Sequence, residues 1–398
     1  MKVVSFCHFL QGPAAMQYLA DMGAEIIKIE PPHGAYERHW AGADRAKVAG
    51  VSAFYLSANR GAKSIAIDLK KPEARELVMR LIEQSHAVTE NFRPGTLDRL
   101  GLGYDAVRER KPDIIYASAS GFGRTGPLVK KPGQDLVIQA MSGLIAANGG
   151  GESPVAVGCA AADQHGAALM ALGVLGAYVK WLTTGEGTRV ESTLLGAGID
   201  LQMESLVTYY ASKRGRDILK RDPHLATWFH EAPYGVYKAA DGFIAVSLNP
   251  PEKLSRVLES EAIAAFIGKS AYDNRDAYAK TLAEELKHRT IADLSARFDA
   301  ADMWYARVDD FDDLVENPQV QHMEVFREVP VHDDTIRLLN HPLRYDGKVP
   351  DHRPFALEQG ANTREILENF GFGSSEINSL FDAGVIHEPA VKTEMAGE

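Results

Sequence analysis

Cysteine is almost absent. Only Cys7 and Cys159 occur in 398 residues, with no CxxC and no Cys/His ligand spacing. That pattern argues against a disulfide framework and against a zinc site. Positive charge is short as well: the formal net charge is −11, which speaks against a nucleic-acid partner. No uninterrupted apolar run reaches the roughly 18 residues that a membrane span requires. The opening Met1-Lys-Val-Val-Ser-Phe-Cys7 reads as a first strand and not as a signal peptide. The expectation is a cytoplasmic protein with no membrane partner. Internal repeats and low-complexity tracts are missing too. After the first strand stands Gln11-Gly12-Pro13 where a dinucleotide-binding chain carries GxGxxG, so a nicotinamide cofactor loses its main support.

What is present is an enzyme-sized composition, 45% hydrophobic and 24% charged, on a chain long enough for two domains. Residues 2–6 form a short apolar strand, and 12–22 carry helical periodicity that stops at Gly23. A second strand, 24–30, is closed by Pro31-Pro32. Strand–helix–strand at this spacing opens a parallel sheet, whose ligands bind beyond the carboxyl ends of the strands. Further strands are read at 64–68, 87–90, 114–118 and 188–193, with helices at 72–85, 134–147 and 196–212. Gly149-Gly-Gly151 reads as a flexible break. Residues 213–224 are charged and lack an apolar face. Pro233 to Leu248 reads as a β-hairpin turning at Asp241-Gly242.

One stretch stands out. Gly158-Cys-Ala-Ala-Ala lead to Asp163, and from Gln164 to Trp181 nothing interrupts an Ala/Leu/Val/Gly helix. Leu169, Leu172, Leu175, Val179 and Leu182 recur at helical spacing, and small residues fill the other faces, so burial nearly all round is expected. Asp163 reads as the N-cap of that helix, where free N–H groups and the macrodipole favour the ionised carboxylate. On its own this is an ordinary cap.

Several blocks together resemble the family III CoA-transferases, the group that includes formyl-CoA transferase, carnitine CoA-transferase and α-methylacyl-CoA racemase. They are Gly12-Pro13 with Leu19 to Pro32, Asn59-Arg-Gly-Ala-Lys-Ser to Lys70, Glu90-Asn-Phe-Arg-Pro-Gly95 and Leu97 to Gly101. Ala232-Pro-Tyr-Gly235 with Asp241-Gly242 follows, then Glu316-Asn-Pro-Gln-Val320, His341-Pro-Leu-Arg344 and Ala361-Asn-Thr363. They run in order over essentially the whole chain. The resemblance implies an α/β fold in which a Rossmann-like large domain, built from both chain ends, accompanies a smaller α+β domain in an interlocked homodimer. On that plan residues 1–195 and 331–398 form the large domain, 226–311 the small one, and 196–225 and 312–330 are linkers.

By the same resemblance Asp163 is the nucleophile. Its carboxylate attacks an acyl-CoA thioester to give a mixed anhydride, then an aspartyl-CoA thioester, before an acceptor acid reverses the sequence. CoA is a substrate and no permanently bound cofactor or metal is implied. Matching positions for CoA are Lys70, Asn91 and Arg99; Lys131, with Lys130, stands in the loop before Gln134 within reach of a phosphate, and Arg60 and Arg93 are weaker candidates. Each also has a structural reading as a solvated charge or a turn residue. His165 is a possible base, although a His there equally lines the first helical turn. Trp228, Phe229 and His230 are candidates for the acceptor pocket.

The racemase branch carries a His where this chain has Gln134, and an amide cannot be one of two general bases. Gln134 therefore favours acyl–CoA transfer over racemisation of a 2-methylacyl-CoA, and Asp163 at its helix entrance speaks against a non-catalytic acyl-CoA-binding role; the leading expectation is CoA transfer between small organic acids, a dicarboxylate among them. Asp135 beside it either assists the anhydride step or anchors the helix.

Overall fold

The computed structural model describes residues 1–42, 45–149 and 153–389. The glycine break read at 149–151 falls largely outside them. Two compact units emerge: Met1–Ile138 with Ala160–Gly198 and Pro318–Glu398, and Gln139–Cys159 with Ile199–Asn317. Residues 139–159, read from sequence as part of a continuous 1–195 segment, thus group with the second unit.

The first unit is built on a seven-stranded sheet. Its strands are β1 (Lys2–Ser5), β2 (Glu25–Glu30), β3 (Ala62–Ile67), β4 (Ala87–Glu90), β5 (Ile115–Ser120), β6 (Thr188–Thr193) and β12 (Ile386–His387). Their order is β12-β3-β2-β1-β4-β5-β6, parallel except for the antiparallel edge strand β12. The chain winds outward from β1 in both directions, so the crevice at the carboxyl ends of β1 and β4 is a topological switch point.

Side chains alternate across the sheet with period two. Val4, Ile27, Ile65, Val88 and Tyr116 enter one core with α2 (Pro72–Glu83), α11 (Thr363–Asn369) and α12 (Ser374–Asp382). Val3, Ile26, Ala62, Ala87, Ala117 and Ala119 enter the other, against α1 (Gln11–Asp21) and α5 (Ala161–Thr184). The second face is rich in alanine, and so are the helices on it, which lets α1 and α5 lie close to the sheet and to each other. Met170 and Val174 are fully buried there; truncating Met170 to Ala would cost about 2–5 kcal/mol.

α5 ends where Gly185 adopts φ 71°, a left-handed C-terminal residue that glycine tolerates without a Cβ clash. By length and composition it is the one helix among the described residues that is apolar enough to cross a bilayer, a property that the search for unbroken apolar runs does not register. It serves as the crossover between β5 and β6. Burial nearly all round is not observed: Leu172, Val179 and Leu182 are exposed. The predicted helix over 134–147 is two helices, α3 (Asp135–Met141) and α4 (Leu144–Asn148), because Gly143 takes φ 89° between them. The helix read at 196–212 is likewise divided into α6 (Leu194–Asp200) and α7 (Met203–Ser212), so the 196–225 stretch is largely helical.

The second unit contains the predicted hairpin as β7 (Gly235–Lys238) and β8 (Phe243–Val246), extended by β9 (Tyr305–Arg307). The helices α8 (Pro251–Leu258), α9 (Arg275–Leu286) and α10 (Ile291–Ala300) bury Leu254, Leu258, Tyr278, Leu282, Leu294 and Phe298 against it. In the first unit a further hairpin, β10 (Phe326–Val331) with β11 (Asp334–Leu339), packs Val329, Val331 and Leu338 on Tyr55 and Leu56.

Candidate active site

Asp163 is the third residue of α5 and not its cap. The position before the helix is Ala160, whose side chain accepts nothing. The cap comes from a distant segment: Asp135, at the start of α3, receives the backbone N–H groups of Ala162 at 2.8 Å and Asp163 at 3.1 Å on its Oδ1. Asp135 is buried and is thereby fixed against the helix's positive end, which suits a carboxylate. Ile138, one turn along α3, packs with Ala162 and Leu194 and holds α3 in place for this contact.

The Asp163 carboxyl is pushed up to about 7, chiefly by burial and then by the Asp135 charge beside it. The sequence reading expected the helix end to favour ionisation. That fails chiefly because the carboxyl is buried, and then because Asp135 takes the Ala162 and Asp163 N–H groups and adds a like charge. A carboxylate with a midpoint near neutrality is a stronger base and nucleophile than a solvated one, yet is still ionised in a large fraction of molecules at pH 7.

α1 starts at the same edge of the sheet. Gly12 lies so close to its neighbours that a Cβ would sit 2.5 Å from the Cys7 Cβ and 3.2 Å from the Asn91 Nδ2. Gly166, one turn beyond Asp163, has the same constraint: a Cβ there would lie 2.6 Å from the Gln11 Nε2. These two glycines let α1, the end of β4 and α5 converge. Cys7 is buried, which pushes its thiol up to about 11, so it is a packing residue and not a nucleophile.

The predicted CoA positions divide. Asn91 follows β4, but its carboxamide is engaged with the chain itself: Oδ1 accepts from the His8 N–H at 2.9 Å and Nδ2 donates to the His8 carbonyl at 2.7 Å. It clasps the β1–α1 turn and sets the His8 ring between Phe9 and Phe92, each with centroids 4.8 Å away. Burial holds the His8 imidazole below its usual range, so it sits there as a neutral ring. Phe9 adopts φ 62° and its N–H donates to the Glu37 Oε2 at 3.1 Å. Glu37 in turn pairs with Lys28 in the interior, and this buried pair sustains an otherwise strained backbone.

Lys70 after β3 and Arg99 beyond β4 are exposed at the carboxyl side of the sheet, as are Arg93, Lys130, Lys131 and Gln134. Arg60 is internal instead: its guanidinium pairs with Asp21 at 2.6 Å and donates to the Leu339 carbonyl, so it is a structural cation. Arg124 bridges Glu90 and Asp98. His165 is half-buried in the first turns of α5. In the second unit Trp228 is buried and donates to Ser205, Arg275 donates to the Trp228 carbonyl, and His230 stacks on Tyr234. Sequence reading missed Gln11, His8, Phe9 and Gly166. Only Gln11 carried a signal, as a polar residue between an apolar strand and a Gly-Pro helix start.

The arrangement can therefore present a carboxylate with a midpoint near neutrality at the carboxyl side of the sheet, the side on which the exposed cations after β3, β4 and β5 also lie. The family model for CoA-transferase family III matches residues 1–356. A succinyl-CoA:mesaconate CoA-transferase of Haloarcula hispanica is 29% identical, with 94% of this chain and 96% of that protein covered. A human succinyl-CoA:glutarate CoA-transferase is 28% identical, with 98% and 89% covered. Among solved structures, a CAIB/BAIF family protein from Brucella suis superposes with a TM-score of 0.80 at 26% identity, covering 93% of this chain and 98% of the other. This chain belongs to CoA-transferase family III and is a CoA-transferase of that family.

Proposed function

We propose that this enzyme moves CoA from an acyl-CoA thioester to a small organic acid, with a dicarboxylate as one partner, through covalent intermediates on Asp163. The observation that carries the mechanism is the Asp163 carboxyl, half-buried at the start of α5 with a midpoint near 7 and its backbone N–H tied to Asp135. The dicarboxylate assignment is supported by the relatives named for mesaconate and glutarate.

The carboxylate adds to the donor thioester carbonyl and the C–S bond breaks, giving a mixed anhydride and CoA thiolate. The thiolate adds to the Asp163 carbonyl carbon, and the bond between that carbon and the bridging anhydride oxygen breaks, releasing the donor acid as its carboxylate and leaving the aspartyl-CoA thioester. An acceptor carboxylate then displaces CoA from the aspartyl thioester to form a second anhydride. CoA thiolate attacks its acceptor carbonyl and returns Asp163 as carboxylate. Every step exchanges one activated acyl bond for another, so the enzyme's task is to exclude water and stabilise the oxyanions. Lys70, Arg99 and Lys131 supply charge for the CoA phosphates, and Asn91 shapes the turn beside them.

The same reading assigns a homodimer of interlocked chains. Support comes from apolar side chains left exposed in one chain, Leu172, Val179 and Leu182 along α5 and Met203, Val207 and Tyr210 along α7, each a helical stripe that seeks cover. A folded monomer at micromolar concentration in sedimentation would refute it.

The decisive test is a matrix of acyl-CoA donors against small mono- and dicarboxylic acids, with Asp163→Ala as the blank and hydroxylamine added to trap the aspartyl thioester. Transfer and an Asp163 hydroxamate are expected from the parent and neither from the variant. Transfer by Asp163→Ala at the parent rate overturns the mechanism.

A further inference from the structure

We propose that Arg124 is a positioning residue for acyl-CoA binding: its guanidinium docks the loop between β5 and α3 against the end of β4 and the helical turn Thr96–Arg99, and so delivers Lys130 and Lys131 to the CoA phosphates. The inference rests on the assignment of the phosphates to the exposed cations of this edge, and it adds the residue that holds one group of them in place.

The first observation is the shape of the loop. It runs over 121–133, and its two ends touch. A Cβ on Gly121 would lie 2.7 Å from the Gly133 Cα, and one on Gly133 would lie 2.5 Å from the Gly121 Cα. Only residues without a side chain permit that closeness. The Gly121 carbonyl accepts the Leu195 N–H at 3.0 Å, which fixes the base. A segment that leaves and returns at one point is a compact surface loop, closed on itself, so that one further contact fixes its whole body. Its far end is ordered by local turns: the Val129 N–H donates to the Gly126 carbonyl and the Lys131 N–H to the Leu128 carbonyl. Lys130 and Lys131 stand exposed at the end of those turns.

The second is where the loop is held. The Arg124 Nη2 donates to the Asp98 Oδ2 at 2.9 Å, and its Nη1 reaches the Glu90 Oε1 at 3.4 Å. The Arg124 and Glu90 side chains are only 17% and 4% exposed. A charge-assisted bridge in partial burial holds better than a solvated pair. The Glu90 carboxylate is itself fixed, because its Oε2 accepts the Phe92 N–H at 2.9 Å.

The third is what the two carboxylates adjoin. Glu90 precedes Asn91, and Asp98 precedes Arg99. One guanidinium therefore ties the loop that carries Lys130 and Lys131 to the segments that carry Asn91 and Arg99. The spacing of three segments is set by a single side chain. Ligand and bridge are then coupled: CoA held across the segments strengthens the bridge by as much as the bridge strengthens CoA binding.

The test uses calorimetry with CoA and steady-state kinetics on an acyl-CoA and on the matching acyl-pantetheine, which keeps the thioester and lacks every phosphate. The variants are Arg124→Gln, Asp98→Asn, their double, and Lys130→Ala/Lys131→Ala with and without Arg124→Gln; circular dichroism confirms folding. Arg124→Gln should weaken CoA binding and raise KM for acyl-CoA about tenfold, as expected for linked sites, with kcat within about threefold of the parent. Its KM for acyl-pantetheine should move less than about twofold. Asp98→Asn should also weaken CoA binding, and the double variant should be no more than about twofold worse than Arg124→Gln, since the bridge is already gone. In the Lys130→Ala/Lys131→Ala background Arg124→Gln should likewise add less than about twofold, because the loop no longer carries the charges it delivers.

Equal losses on acyl-CoA and acyl-pantetheine, or lowered stability with unaltered CoA affinity, mark a structural residue and overturn the proposal. So does tighter CoA binding by Asp98→Asn, which makes Arg124 a neutraliser of repelling charge and not a latch. Should Arg124→Gln fail to fold, Asp98→Asn, an exposed position, decides by the same criteria. Weakened CoA binding by Lys130→Ala/Lys131→Ala beside an unimpaired Arg124→Gln removes only the latch. Parent CoA affinity in Lys130→Ala/Lys131→Ala removes the latch together with the phosphate role of this loop, and leaves the covalent role of Asp163 to its own test.

Discussion

Replacing Asp135 with asparagine separates two things that this residue does at once. Its Oδ1 accepts the Ala162 and Asp163 N–H groups, and its charge helps raise the Asp163 carboxyl from 3.8 to about 7. Asparagine caps a helix about as well as aspartate, so the geometry survives and only the charge is removed. Burial is the larger cause of the rise and the Asp135 charge the smaller, so the Asp163 midpoint should fall by about one pH unit, under half of the whole. The sign follows directly, because the nucleophile is the ionised form. At pH 5.5 the ionised fraction is about 3% for a midpoint of 7 and about 24% for a midpoint of 6, an eightfold gain in reactive enzyme. Above pH 8 both forms are almost fully ionised, and the variant is slightly slower because a less basic carboxylate is a weaker nucleophile. The assay is single-turnover release of the donor acid across pH 5–9, which reports the first half-reaction without the acceptor's own titration. Asp135→Ala is the contrast. It loses the cap as well, so it should be less stable by about 0.5–2 kcal/mol and slow at every pH. An acid limb that stays put in Asp135→Asn, or an Asp135→Ala that behaves identically, refutes the assignment.

Other outcomes follow from the same geometry. Asp163 has a folded midpoint above its unfolded one, so its contribution favours the fold below about pH 4 and is lost as pH rises through 7. Asp163→Asn should therefore be more stable than the parent at pH 8, by up to about 2–4 kcal/mol, with the gain vanishing near pH 4; urea titrations at both pH values check this. Arg60→Ala leaves Asp21 buried without its partner and should cost about 3–5 kcal/mol, while the folded fraction binds CoA as the parent does in calorimetry. Lys70→Ala and Arg99→Ala should each weaken CoA binding about three- to tenfold, with a loss that shrinks as salt is raised. An unaltered affinity in both would remove them from the phosphate site.

The elements that sequence made legible are those governed by neighbours along the chain. The short apolar strand read at 2–6 is β1, with Val3 and Val4 on opposite faces, and unbroken helical spacing places α5 to within three residues at each end. The misplaced features are all settled across the fold. Asp163 looks like a cap when only its own helix is considered. The residue that caps that helix is 28 positions upstream, and no local pattern announces it. The ionisation of Asp163 was misjudged for the same reason: the dipole is a property of the helix, whereas burial and the Asp135 charge belong to the packed unit. Asn91 and Arg60 match the family's pattern as types, yet one clasps the His8 backbone and the other neutralises Asp21. The apolar stripe of Leu172, Val179 and Leu182 was read correctly as a stripe; periodicity tells that a face seeks cover but not whether the same chain provides it. Gln11 is the instructive case. In sequence it counts only as a departure from a nucleotide-binding motif, and its packing is set by a single glycine 155 residues away, since a Cβ on Gly166 would lie 2.6 Å from its Nε2.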